Sequence, residues 1–127
     1  MKVRITGNSL RLRLLRSEVA RLLAGECLEE AIHFTPEANA RFTYALQQDT
    51  AARVPAIQYS EGRVDILIPA DQARTWGSSN QVGIAADISL GAFGSLALLV
   101  EKDFACLDGS EDDNQDTFPN PCAGAKC

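Results

Sequence analysis

Apolar and polar side chains alternate with the two-residue period of a pleated strand from the start of the chain. In "KVRIT" (2–6), Val3 and Ile5 share one face and Lys2 and Arg4 the other. In "SLRLRL" (9–14), Leu10, Leu12 and Leu14 oppose Arg11 and Arg13. Gly7 and Asn8 between these runs tolerate the positive φ of a tight turn, which makes the pair a hairpin. The period then changes. "SEVARLLAG" (17–25) puts Val19, Leu22 and Leu23 on one helical stripe, with Ser17 as candidate N-cap and Gly25 at the end. "CLEEAIHF" (27–34) and "RFTYALQ" (41–47) read as two further strands joined by a loop containing Pro36. The unit is ββαββ.

After Pro55 the same order returns. "AIQYS" (56–60) and "RVDILI" (63–68) are strands around an "EG" turn, and "PADQARTWG" (69–77) is a short helix with Pro69 suited to its first turn. "QVGIAADI" (81–88) and "SLALLVEK" (95–102) complete a second ββαββ unit. Leu10, Leu12 and Leu14 align with Val64, Ile66 and Ile68, "SEVAR" with "ADQAR", and Leu28 with Val82. That alignment needs one extra residue before the first helix and one after the second. Neither unit can bury both faces of so few strands, so the two are expected to pair about an approximate twofold axis. Closure into a mainly β barrel with two short helices would also remove exposed edges. Residues 1–107 are thus expected to form one domain, with repeats over 1–50 and 54–104, and 108–127 to form a tail.

Charge changes this picture from symmetric to polar. The 127 residues carry 12 basic and 17 acidic side chains, a net charge of −5. Lys2, Arg4, Arg11, Arg13, Arg16 and Arg21 nevertheless fall in the first 21 residues beside one acid, Glu18, while residues 101–127 carry seven acids against Lys102 and Lys126. Such segregation points to partners, or to one end of the chain answering the other. The acidic total argues against non-specific nucleic-acid affinity by the whole chain. No apolar run reaches the roughly 18 residues of a membrane span, and the N-terminus lacks the apolar core of a signal peptide, so no membrane partner and a cytoplasmic location are expected.

"GNSLRLRLLRSEVARLLAGECLEEAI" resembles the DNA-binding half of the AbrB/MazE family, through Gly7, Asn8, Ser9, Leu12, Arg13, Leu14, Glu18, Val19, Gly25 and Glu26. Leu15 stands where that family has proline, whereas Ile68, Pro69 and Asp71 in the second unit keep the Ile-Pro-x-acid pattern. The resemblance, over about residues 2–102, implies a swapped-hairpin barrel, here with both halves in one chain as a pseudo-dimer. It also implies that Arg4, Asn8, Arg11 and Arg13 contact DNA. "GNSLRLRL" and "EKDFACL" also resemble a bacterial family with no assigned function.

The residues themselves carry the same candidate site. With the leucines buried, Lys2, Arg4, Arg11 and Arg13 share an outer face, at about 6.5–7 Å along each strand, close to the phosphate repeat of a nucleic-acid strand. Asn8 at the turn and the arginines can reach base edges. The second unit, however, presents Gln58, Ser60, Asp65 and Leu67 at the matching positions, so one basic hairpin stands where a homodimer has two. The first functional expectation is a regulator or antitoxin-like binder, with the hairpin for DNA and the acidic tail, anchored by Phe118, for a protein. The alternative is a structural or interaction module whose tail folds onto its own hairpin. A third is a small zinc protein using Cys106, Cys122 and Cys127, with His33 or Asp108 as a fourth ligand; otherwise no cofactor is expected. "SLGAFGSL" reads as a hairpin connection, no nucleophile elbow is present, and a single histidine limits acid–base chemistry, so no enzyme is expected.

Overall fold

A computed structural model describes residues 1–105 and 115–119. The first half runs β1 (Lys2–Ile5), β2 (Ser9–Leu14), α1 (Arg16–Leu23), β3 (Leu28–His33) and β4 (Arg41–Asp49). The second runs β5 (Ala56–Ser60), β6 (Arg63–Pro69), α2 (Ala70–Gly77), β7 (Gly83–Ser89) and β8 (Ser95–Lys102). The chain is mainly β, with two similar halves, and its strands form two four-stranded sheets ordered β1-β2-β8-β7 and β3-β4-β6-β5. Each sheet therefore takes one hairpin from each half. The two halves are joined within the sheets by parallel pairs, β2 with β8 and β4 with β6, while the hairpins are antiparallel. Among the described residues these pairings stop at four strands per sheet and do not run on into one closed barrel. β1, β7, β3 and β5 are left as edges.

The turns follow the local chemistry. Between β1 and β2 the Thr6 N–H donates to Ser9 O, and Gly7 alone takes a positive φ, of 55°. Between β5 and β6 both central residues are left-handed, Glu61 at 48° and Gly62 at 77°, the geometry whose twist suits a two-residue hairpin. A Cβ on Gly62 would lie 2.9 Å from Arg41 O, so glycine is required there twice over.

The two inner faces share one core. Leu12, Leu14, Val100 and Ile84 from the first sheet pack in the same cluster as Leu28, Leu46, Ile66 and Ile68 from the second. Val19 and Leu22 of α1 and Ala73 and Trp76 of α2 cover one end of it. The buried indole of Trp76 plugs the core beneath α2 and donates its N–H to Val82 O at 3.1 Å.

Burial also corrects the internal alignment. The helical core positions are Val19 with Ala73 and Leu22 with Trp76, the same 54-residue spacing that relates Leu12 to Ile66. No residue is inserted before α1. Past the helices, Leu28 pairs with Leu46 and Ile84 with Val100, so Leu28 corresponds to Ile84 and the half-exposed Val82 belongs to a longer α2–β7 connection. Matching "SEVAR" to "ADQAR" aligned letters; packing aligns the faces that meet the core.

Helix α1 starts at Arg16, not Ser17, and is capped from outside. Glu18 Oε1 accepts from the Leu15 N–H at 2.9 Å, while Asp116 O accepts from Arg16 N–H at 2.8 Å and Asp116 Oδ1 from Ser17 N–H at 3.1 Å. Ser17, expected as the cap, instead bonds the Asp116 carboxylate through its hydroxyl. At the other end Gly25, with φ of 93°, donates to Leu22 O and Glu26 N–H to Arg21 O, a Schellman closure.

Candidate functional site

The hairpin cations lie together as the alternation requires. Lys2 registers opposite Arg13 and Arg4 opposite Arg11, so the four share the outer face of the first sheet, behind which Leu10, Leu12 and Leu14 are buried. The neighbouring strand supplies their counter-ions. Arg13 registers beside Glu101 of β8, whose Oε1 accepts from Arg13 Nε at 2.7 Å and from Arg11 Nε at 2.6 Å. Lys2 Nζ lies 3.0 Å from an Asp103 carboxylate oxygen. Burial pushes the Glu101 pKa up, but the hydrogen bonds from the two guanidinium groups outweigh this and hold it below the ordinary carboxylate range. Arg4 is exposed, and among the described residues no acid pairs with it. Asn8 donates from Nδ2 to Phe93 O at a long 3.5 Å. The outer face of the matching β5–β6 hairpin carries Arg63, paired with Asp65 of the same strand and Glu29 of β3, and among the described residues it offers no second basic cluster.

Among the described residues the acids that answer the hairpin come from β8 and the residue after it. The described part of the tail docks elsewhere. Phe118 bridges to Phe104 in a parallel pair, donating N–H to Asp103 O at 2.9 Å and accepting from Ala105 N–H at 2.7 Å. Its ring meets Phe104 edge-on with centroids 6.2 Å apart, and Lys102 Nζ and the Arg16 guanidinium lie 5.4 and 5.9 Å from its centre. Lys102 also faces the Trp76 ring at 6.0 Å and donates to Ser79 O at 2.6 Å. Burial pushes its ammonium below the usual lysine range. The side chain expected to anchor a partner protein is seated in its own domain.

Cys106, Cys122 and Cys127 lie outside the described residues. Among the described residues no three histidine, cysteine or acidic side chains converge as a metal site. His33 is exposed at the end of β3, on the face opposite Ile32 and beside Arg41. Cys27 is an exposed free thiol; desolvation raises its pKa, with Arg63 pulling down and Glu29 and Asp65 pushing up, which leaves little thiolate for chemistry.

A second feature was not singled out by the sequence. The end of the core away from the helices is open, and a cavity of about 460 Å³ lies there between the sheets. Its wall includes Leu10, Phe42, Val64 and Leu96, each the second residue of one of the four central strands. Ile5, Ile57, Tyr59 and Ile88 of the edge strands extend it, with Ile5 59% and Tyr59 68% exposed at the mouth. The available signal was Ile5 and Tyr59 at matching strand positions, 54 residues apart. What hid the cavity was strand order, since parallel pairing between halves carries no local mark.

The model of a family of unknown function, DUF7009, matches residues 1–122, and the chain belongs to that family. No curated protein and no solved structure matches the chain. Among the described residues no helix is long and apolar enough to cross a membrane.

Proposed function

We propose that this member of DUF7009 is a non-enzymatic interaction module on an AbrB-like swapped-hairpin framework, with its C-terminal segment folded onto its own domain. The strand orders support the framework, because each half sends its first hairpin to one sheet and its second to the other. The two open sheets are then a relaxed form of the AbrB-type barrel. The observation that carries the functional reading is the seat of Phe118, held by two backbone hydrogen bonds and by contacts with Phe104, Arg16 and Lys102. A segment held this way completes the fold instead of waiting for a toxin-like partner. Three of the hairpin cations, Lys2, Arg11 and Arg13, are likewise answered, by Asp103 and Glu101, and among the described residues the apolar open end stands exposed as a recognition surface. Replacing Phe118 with alanine should lower unfolding stability by about 2 kcal/mol, since the ring's burial and ring contacts are lost. An unchanged denaturation midpoint would return the segment to the role of a partner-binding arm.

The cross-strand register of Lys2 with Arg13 and Arg4 with Arg11 favours a second reading, a cytoplasmic regulator that grips a DNA backbone with this hairpin. Arg4→Glu tests it cleanly, because it disturbs none of the ion pairs of Arg11, Arg13 or Lys2. The reading expects a salt-sensitive mobility shift of duplex DNA by the native protein that the variant loses. No shift by the native protein at low salt disposes of it.

A further inference from the structure

We propose that the open end between the sheets binds a small, neutral, mainly apolar molecule carrying one hydroxyl or carbonyl. The inference rests on the interaction-module reading and names the ligand class of its free surface.

The site follows from strand direction. α1 follows the C-terminal end of β2 and α2 that of β6, so both helices cover the same end of the core. The first residues of β2, β4, β6 and β8 all lie at the other end, and burial falls off toward it. Along β6, Ile68 and Ile66 are buried and Val64 is partly open; along β8, Val100 and Leu98 are buried and Leu96 is partly open. β4 repeats the gradient from Leu46 through Tyr44 to Phe42.

Four apolar cross-strand pairs ring this end: Ile5 with Leu10, Tyr59 with Val64, Ile32 with Phe42, and Ile88 with Leu96. The arrangement is repeated by both halves. A void of about 460 Å³ falls within the usual range of small-molecule sites, and is about three times the apolar cavity size that stays dry and accepts benzene.

Chemistry narrows the occupant. Among the described residues no carboxylate, ammonium or guanidinium lines the cavity; its polar side chains are Ser9, Ser89 and the Tyr59 phenol. A charged ligand group would be desolvated without a counter-ion, whereas a hydroxyl or carbonyl finds partners at the rim. A second copy of the chain fits less well. A twofold dimer through this end would set one concavity against the same concavity and fill neither.

The probes are n-octanol and octanoate, titrated into the full-length protein at neutral pH and followed by amide NMR. Octanol should produce saturable shifts confined to residues at the mouth, including Ile5, Phe42, Tyr59 and Leu96. Octanoate should bind at least about tenfold more weakly, because its carboxylate meets no cation. Val64→Phe, which fills the cavity, should weaken octanol at least about tenfold. If that variant's spectrum is not native, Ile88→Trp on the edge strand replaces it.

The absence of saturable shifts at the mouth overturns the site. Equal binding of octanoate overturns the neutral class. Sedimentation as a dimer with protected mouth amides replaces the small molecule by a second copy. None of these readouts involves Phe118 or Arg4. Failure of the module reading in the Phe118→Ala or duplex experiments is therefore distinguishable from failure here.

Discussion

Glu101 resolves two electrostatic difficulties with one side chain. Arg11 and Arg13 lie on the same face of β2, and like charges one strand period apart repel. Glu101, nearly buried beside them, would be costly to desolvate alone. One carboxylate oxygen taking both Nε–H groups removes both costs. The pKa direction makes this testable. A carboxyl group held below its ordinary value of 4.5 contributes stability that is present above that value and is lost as pH falls through its folded value. Glu101→Gln should therefore be less stable than the native protein at pH 7, and the gap should narrow on acidification below pH 4.5. Urea unfolding across that interval checks it, and a gap that stays constant with pH would mean that Glu101 does not govern this transition.

Short-range grammar predicted the strands, turns and helices well, since alternation, the Gly7–Asn8 and Glu61–Gly62 turns and the Gly25 stop act within a few residues. β2, β5 and β8 fall on their expected residues. What depended on distant residues was illegible. The helix α1 begins one residue before Ser17 because its first N–H groups find Asp116, about a hundred positions away, and no cap rule reaches that far. The candidate site divides along the same line. Lys2, Arg4, Arg11 and Arg13 share the expected face, a property of two adjacent strands. Glu101 as their counter-ion depends on β8 lying parallel to β2, a pairing that leaves no periodic trace in either strand. The apolar open end was hidden for the same reason: its four pairs are ordinary strand residues until two hairpins from different halves are brought together.

The interleaving of the halves makes the molecule cooperative in a specific sense. Residues 1–52 contain β1 to β4 but neither β8, which pairs with β2, nor β6, which pairs with β4. The leucines of β2 and Leu46 of β4 would lose most of their covering neighbours. Produced alone, this half should give no cooperative thermal transition, and mixing it with residues 53–127 should restore one. A sharp transition in the isolated half would mean that its two hairpins can satisfy each other, against the observed sheet orders.

The pairing of β2 with β8 has a cost in time as well. Arg11 and Glu101 are 90 residues apart, and contacts of such separation raise contact order and slow folding. On a ribosome the first hairpin emerges long before the strand that flanks it, with Leu10, Leu12 and Leu14 uncovered throughout translation. Its arginines are then more than a place for a ligand: they keep a waiting, aggregation-prone strand in solution until its last neighbour is made.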